Sequence, residues 1–160
     1  MNTPRTKKSP GRAKNASILV IEDNPDHQIL IKNAIQQSFS GVEALVFSNE
    51  QEAVEHLREC ALTGLRLPKL ILLDLYLPER EDGWNTVEQI KEIGSDIAQI
   101  PIVVFSSSAH HEDITESYER GVTSYVVKPT DFSEWLTYFE TLKDYWWETV
   151  ILPNTSSSLY

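Results

Sequence analysis

The sequence predicts a doubly wound α/β fold, a five-stranded parallel sheet with helices on both faces, and three observations carry that prediction. Residues 18–21, 70–73, 102–105 and 125–127 are short apolar runs almost free of alternation, as expected of strands buried on both faces of a parallel sheet. Stretches with apolar residues at helical spacing alternate with these runs, which implies short connections and right-handed crossovers. The residues that end the runs are Glu22 and Asp23, Asp74, Ser106 and Lys128. They stand where ligands of such sheets bind, outside the carboxyl ends of the strands.

Each element has a local reason. After the first run, Asn24 and Pro25 offer a cap and a first-turn proline, and Ile29, Leu30, Ala34 and Ile35 follow at helical spacing, so a helix is expected over 25–38. Residues 42–47 read as the second strand, and Ser48 is expected to cap a helix over 49–60. Residues 64–69 lead back to the third strand. A third helix is expected over 84–93, a strand over 101–106, and a fourth helix over 112–120 stopped by Gly121. In the last helix, beginning near Asp131, Phe132, Trp135, Leu136, Phe139, Leu142 and Trp146 form one apolar stripe for packing on the sheet.

Composition narrows the function. The 160 residues suit one domain, which buries roughly two thirds of the surface of its unfolded chain. Residues 1–16 carry Arg5, Lys7, Lys8, Arg12 and Lys14 and no acid, and read as a disordered basic tail. Taking these five cations from the total charge of −10 leaves the rest near −15, a body that repels phosphate backbones and anionic membranes, so neither nucleic acid nor membrane is an expected partner. With a single cysteine, Cys60, no apolar leader and no apolar stretch long enough to span a bilayer, the expected location is cytoplasmic, with Cys60 filling core.

The strand-end residues have a common chemistry. A carboxylate attacks a phosphoryl group poorly because both are anionic, and a divalent cation removes that obstacle. Mg²⁺ takes hard oxygen ligands, commonly one or two carboxylates with several waters. Asp23 and Asp74 are the expected direct ligands, Glu22 joins directly or through water, and the backbone carbonyl of Tyr76 adds an oxygen. Lys128 supplies a point charge for phosphoryl oxygens and Ser106 a hydroxyl donor. Pro129 favours an extended conformation at Lys128.

These residues together resemble the receiver domain of two-component response regulators. The matching features are the acidic pair Glu22–Asp23, Asp74 within Leu72-Leu73-Asp74-Leu75-Tyr76-Leu77-Pro78, Ser106 ahead of Ser107 and Ser108, and Tyr125-Val126-Val127-Lys128-Pro129. The resemblance implies a flavodoxin-like sheet of strand order 2-1-3-4-5 over residues 17–147. It further implies Asp74 as acceptor of a phosphoryl group from a histidine kinase or phosphotransfer protein, and Mg²⁺ in the acidic pocket. Ser106 and Tyr125 would be switch residues, with Tyr76 and Ser108 tuning hydrolysis of the acyl phosphate. Four residues separate Pro78 from Gly83, apparently one more than the family usually has.

Residues 148–160 form a further arm. The segment from Tyr145 to Pro153 resembles the ends of single-domain regulators that partner bacterial and cyanobacterial phytochrome kinases, which implies such a kinase as partner. The aromatic excess of Tyr138, Tyr145, Trp146 and Trp147 points to a homodimer through the last helix and this arm, the alternative being an arm folded over its own sheet edge. His110, His111, Glu112 and Asp113 are read as helix-capping residues rather than a metal site. Two other functions remain: an interaction module independent of phosphate, and a phosphatase with an aspartate nucleophile. The second needs another aspartate where Tyr76 stands, so a phosphoacceptor rather than an enzyme is expected.

Overall fold

The computed structural model describes residues 16–149 and 151–152. Five strands, β1 (Ser17–Ile21), β2 (Glu43–Phe47), β3 (Leu70–Leu73), β4 (Ile102–Ser106) and β5 (Ser124–Val127), form one sheet in the order β2-β1-β3-β4-β5. All neighbours pair in parallel, with Val20 opposite Val46 and Leu72, Leu73 opposite Val104, and Ser106 opposite Val127. The expected fold and strand order are both present.

Period-two alternation along the strands supplies both faces. Ile18, Val20, Leu70, Leu72, Val103 and Phe105 point to one side, where α1 (Pro25–Ser38) and α6 (Phe132–Trp146) cover them with Ile31, Ile35, Trp135 and Phe139. Leu19, Ile21, Ile71, Leu73 and Val104 point to the other, under Val54 and Leu57 of α2 (Glu50–Thr63) and Trp84, Val87 and Ile90 of α3 (Arg80–Ile93). The inner strands β1, β3 and β4 are buried throughout, whereas β2 and β5 at the edges are only partly covered. The indole of Trp135 packs edge-on against Phe105 and His27, and its N–H donates to the carbonyl of Pro129 at 2.7 Å.

Several boundaries differ from expectation, each for a local reason. Asn49, not Ser48, caps α2, its side-chain oxygen accepting from the Glu52 N–H at 2.9 Å. The Ser48 hydroxyl instead accepts from the Gln28 side chain. That helix continues past Cys60 to Thr63, where Gly64 takes the left-handed conformation, φ +71°. Cys60 is buried, as expected of core filling. The third helix starts at Arg80, four residues before Trp84, because Asp82 accepts from the Glu79 N–H in a capping box and its acids face the positive helix end. A short helix α4 (Ser95–Ala98) follows, which the sequence reading lacked. Then α5 (His111–Glu119) begins one residue early.

The acidic loop before Gly83 is thus a helical turn, and it lays α3 directly on the chain leaving β3. A Cβ at Gly83 would lie 2.1 Å from the carbonyl oxygen of Leu75. The basic segment 1–16, apart from Ala16, and most of the arm 148–160 lie outside the described residues. Gly83→Ala is expected to destabilise the fold by about 3 kcal/mol or more, since backbone must yield; equilibrium urea unfolding measures this, and unchanged stability, or the gain of about 1 kcal/mol that helix propensity gives Ala over Gly, would show that α3 can move away freely.

Candidate functional site

The sheet's own hydrogen-bond ladder carries the site. Past the ends of the strands, the Glu22 N–H donates to the carbonyl of Phe47, the Asp74 N–H to Ile21, and the Lys128 N–H to Ser106, at 3.0, 3.0 and 2.7 Å. Glu22, Asp74 and Lys128 are therefore each one further rung at the carboxyl edge. The β1–α1 turn is held by Asn24, whose side chain accepts from the N–H groups of Asp26 and His27, and by Gln28, which donates to the Glu22 carbonyl at 2.6 Å.

These rungs bring the acidic and basic groups together. The Lys128 ammonium, almost wholly buried, donates to Glu22 Oε1 and lies 3.3 Å from Asp74 Oδ2 and 2.9 Å from His27 Nδ1. Glu22 is buried, Asp74 partly covered and Asp23 exposed, so the cluster grades from a dry interior to solvent. Oxygens of Glu22, Asp23 and Asp74 lie within 4.8 Å of one another. A cleft of about 440 Å³ opens over them, walled by Asp23, His27, Asp74, Tyr76, Ser106, Ser108, His110 and Lys128.

Charge crowding shows in the acidity of Asp74. Burial raises its pKa from 3.8 to about 6; Lys128 pulls it down, and the nearby Glu22 carboxylate pushes it up. His27 titrates below its ordinary value, first because of burial and then because of the Lys128 charge. Three carboxylates served by one ammonium leave the pocket short of positive charge. Hard oxygens, one exposed and one partly so, fit a small divalent cation with several waters.

Ser106 is buried at the end of β4, and its hydroxyl accepts from the Ser108 N–H at 3.3 Å. Tyr125, on the adjacent strand, is half-buried and donates through its hydroxyl to the carbonyl of Ser108 at 2.8 Å. Tyr76 follows Asp74 by two residues; its N–H donates to Asp74 Oδ1 at 3.3 Å and its hydroxyl to Asp113 Oδ2 at 2.6 Å. Seven of the eight residues singled out in the sequence lie at this edge, and Tyr125, paired with Val104 inside the sheet, reaches it through its hydroxyl.

Two residues were missed and one was misread. His27, in the first turn of α1, looks like an ordinary helix-start residue, yet it touches the buried ammonium. Arg80, in an acidic loop by sequence, donates to Asp113 at 3.0 Å. Asp113 does not cap α5: it is fully buried and turned inward, accepting from Tyr76, Arg80 and the Ser108 hydroxyl. Burial alone would raise its pKa, but these three hydrogen bonds outweigh it and hold the carboxylate ionised below its ordinary value. His110 precedes the helix without a side-chain cap bond.

Among the described residues no helix is long and apolar enough to cross a membrane. The chain is 36% identical over 131 residues to the probable methanogenesis regulatory protein FilR2 of Methanothrix harundinacea, covering 81% of this chain and 82% of that protein. It is 30% identical over 137 residues to the response regulator Rcp1 of Synechocystis sp., covering 85% and 92% respectively. The crystal structure of Mn²⁺-bound Rcp1 superposes with a TM-score of 0.73 at 29% identity, over 87% of this chain and 99% of that one. That of the phosphorylated cyanobacterial phytochrome response regulator RcpA gives 0.75 at 29% identity, over 88% and 99%. The model of the response regulator receiver domain matches residues 18–140, a span holding the whole acidic and basic cluster. With that match on the same strand-end geometry, this chain belongs to the response regulator receiver family.

Proposed function

We propose that this chain accepts a phosphoryl group on Asp74 from a histidine kinase or phosphotransfer protein and signals through protein–protein contacts. The observation that carries the reading is the Lys128 ammonium between Asp74 and Glu22 on the wall of a cleft that also presents Ser106. Asp74 Oδ attacks phosphorus, the bond from the donor imidazole nitrogen to phosphorus breaks, and that nitrogen keeps the electron pair. Lys128 meets the phosphoryl oxygens as a point charge, and Ser106 donates its hydroxyl to one of them. Ser106 and Tyr125 are the switch pair: the Tyr125 hydroxyl already bonds the segment that Ser106 must carry with it.

Glu22, Asp23, Asp74 and the Tyr76 backbone carbonyl are the proposed holders of Mg²⁺, which would supply charge that offsets the repulsion between carboxylate and phosphoryl group. Rcp1 was solved in a Mn²⁺-bound form, which supports the binding of a divalent ion by this chain. A phytochrome kinase is the proposed donor, on the likeness to RcpA. Tyr76 stands where an aspartate-nucleophile phosphatase needs its second carboxylate, and its hydroxyl is committed to Asp113, so acceptance rather than turnover is proposed. A cytoplasmic location and a homodimer through α6 and the following arm complete the reading. Tyr138 and Tyr145 are exposed on that helix.

Four outcomes are expected. Asp74→Asn abolishes labelling by a phosphohistidine donor in Mg²⁺, and full labelling of the variant, read by phosphoprotein gel, removes the assignment. A raised folded-state pKa makes the Asp74 charge a stability penalty, absent below pH 3.8 and fully present above about 6. At pH 7 without Mg²⁺, Asp74→Asn therefore stabilises the fold by about 1–2 kcal/mol in denaturant unfolding, while the Mg²⁺ affinity of the unaltered protein, followed by calorimetry, falls as pH drops through 6. Light scattering at tens of micromolar finds a dimer; a monomer both with and without phosphorylation removes that part.

A further inference from the structure

Helix α5 is attached to the domain in an unusual way, since its buried residues are Asp113 and Ser117, both polar. Ser117 accepts from the Trp84 indole N–H at 3.1 Å and donates to the Asp113 carbonyl at 2.6 Å. The Asp113 carboxylate gathers donors from three separate segments: Tyr76 after β3, Arg80 in the first turn of α3, and Ser108 after β4. Tyr76 and Ser108 are themselves walls of the cleft over Asp74.

We propose that Asp113 is a positioning residue for the acceptor site, a clamp that fixes Tyr76 and Ser108 at the cleft mouth and thereby sets the lifetime of the phosphorylated state. This rests on Asp74 being the phosphoacceptor. Loss of the phosphoryl group proceeds by attack of water on phosphorus; the bond from phosphorus to Asp74 oxygen breaks, and the carboxylate and inorganic phosphate are released with the water's proton passing to solvent. Attack needs an open approach opposite the Asp74 oxygen, and a tyrosine ring tethered at its far end narrows that approach. A fully buried carboxylate bonded to both side chains removes their freedom to swing aside. The Arg80 guanidinium lies over the Trp84 ring, 5.4 Å from its centre, which keeps the third donor in place.

The test follows decay of the phosphorylated protein after loading with acetyl phosphate in Mg²⁺ and removal of the donor. Asp113→Ala and Tyr76→Phe are each expected to speed decay about three- to tenfold, the equivalent of one lost hydrogen bond in a barrier. The double variant is expected to decay no faster than Asp113→Ala alone, because both changes cut the same tether. Restoring an acceptor with Asp113→Asn recovers part of the lifetime, which a merely loosened fold would not. Should Asp113→Ala fail to fold, Tyr76→Phe and Ser108→Ala carry the test. Unchanged decay in Tyr76→Phe, or rate effects that multiply in the double variant, overturns the clamp. Failure of the unaltered protein to become labelled on Asp74 instead overturns the phosphoacceptor reading on which the clamp rests.

Discussion

The buried ammonium of Lys128 is the constraint on which the carboxyl edge of this sheet depends. An ionised amine held almost entirely out of water is tolerated only with close partners, and here Glu22 and Asp74 supply them. Lys128 follows β5, whereas Glu22 follows β1, three strands further in, with β3 and β4 between. One ion pair therefore spans the carboxyl edge and fixes the geometry of everything on it. Removing Lys128 or Glu22, the two ends of that buried pair, would strand the other charge in a dry place, a heavier loss than the net worth of the pair itself.

The same pocket is arranged against its own stability. Burial and the Glu22 carboxylate hold Asp74 far more basic than a free aspartate, so the folded chain carries a repulsion that the unfolded chain lacks. A site short of positive charge gains most from any cation offered to it. A more stable acidic pocket would be a poorer one.

Much of this was legible in the sequence because strands buried on both faces leave a compositional mark and because parallel sheets place their chemistry at one edge. Glu22, Asp23, Asp74, Ser106 and Lys128 could be brought together on those two rules alone. What failed were pairings between distant segments. Asp113 in a helix-start setting reads by local rules as a residue favoured by the helix dipole, and only the fold reveals Tyr76 and Arg80 beside it. The start of α3 was lost for a related reason: an acidic run looks like a loop until Glu79 and Asp82 are seen closing a turn. Helix α5 was read only as the element between two strands that Gly121 stops, and its two buried residues, Asp113 and Ser117, are held by hydrogen bonds.

The indole of Trp135 is fixed at its N–H by the carbonyl of Pro129 and along its edge by Phe105 and His27. Pro129 directly follows Lys128, and His27 touches the same ammonium. The ring is thus an optical gauge built into the core, joined to the lysine through one hydrogen bond and the peptide link between Pro129 and Lys128. Of the four tryptophans, this is the one bonded to the residue after Lys128, so a change of charge at the lysine has a direct route to its emission, with no label attached to any surface that another protein needs.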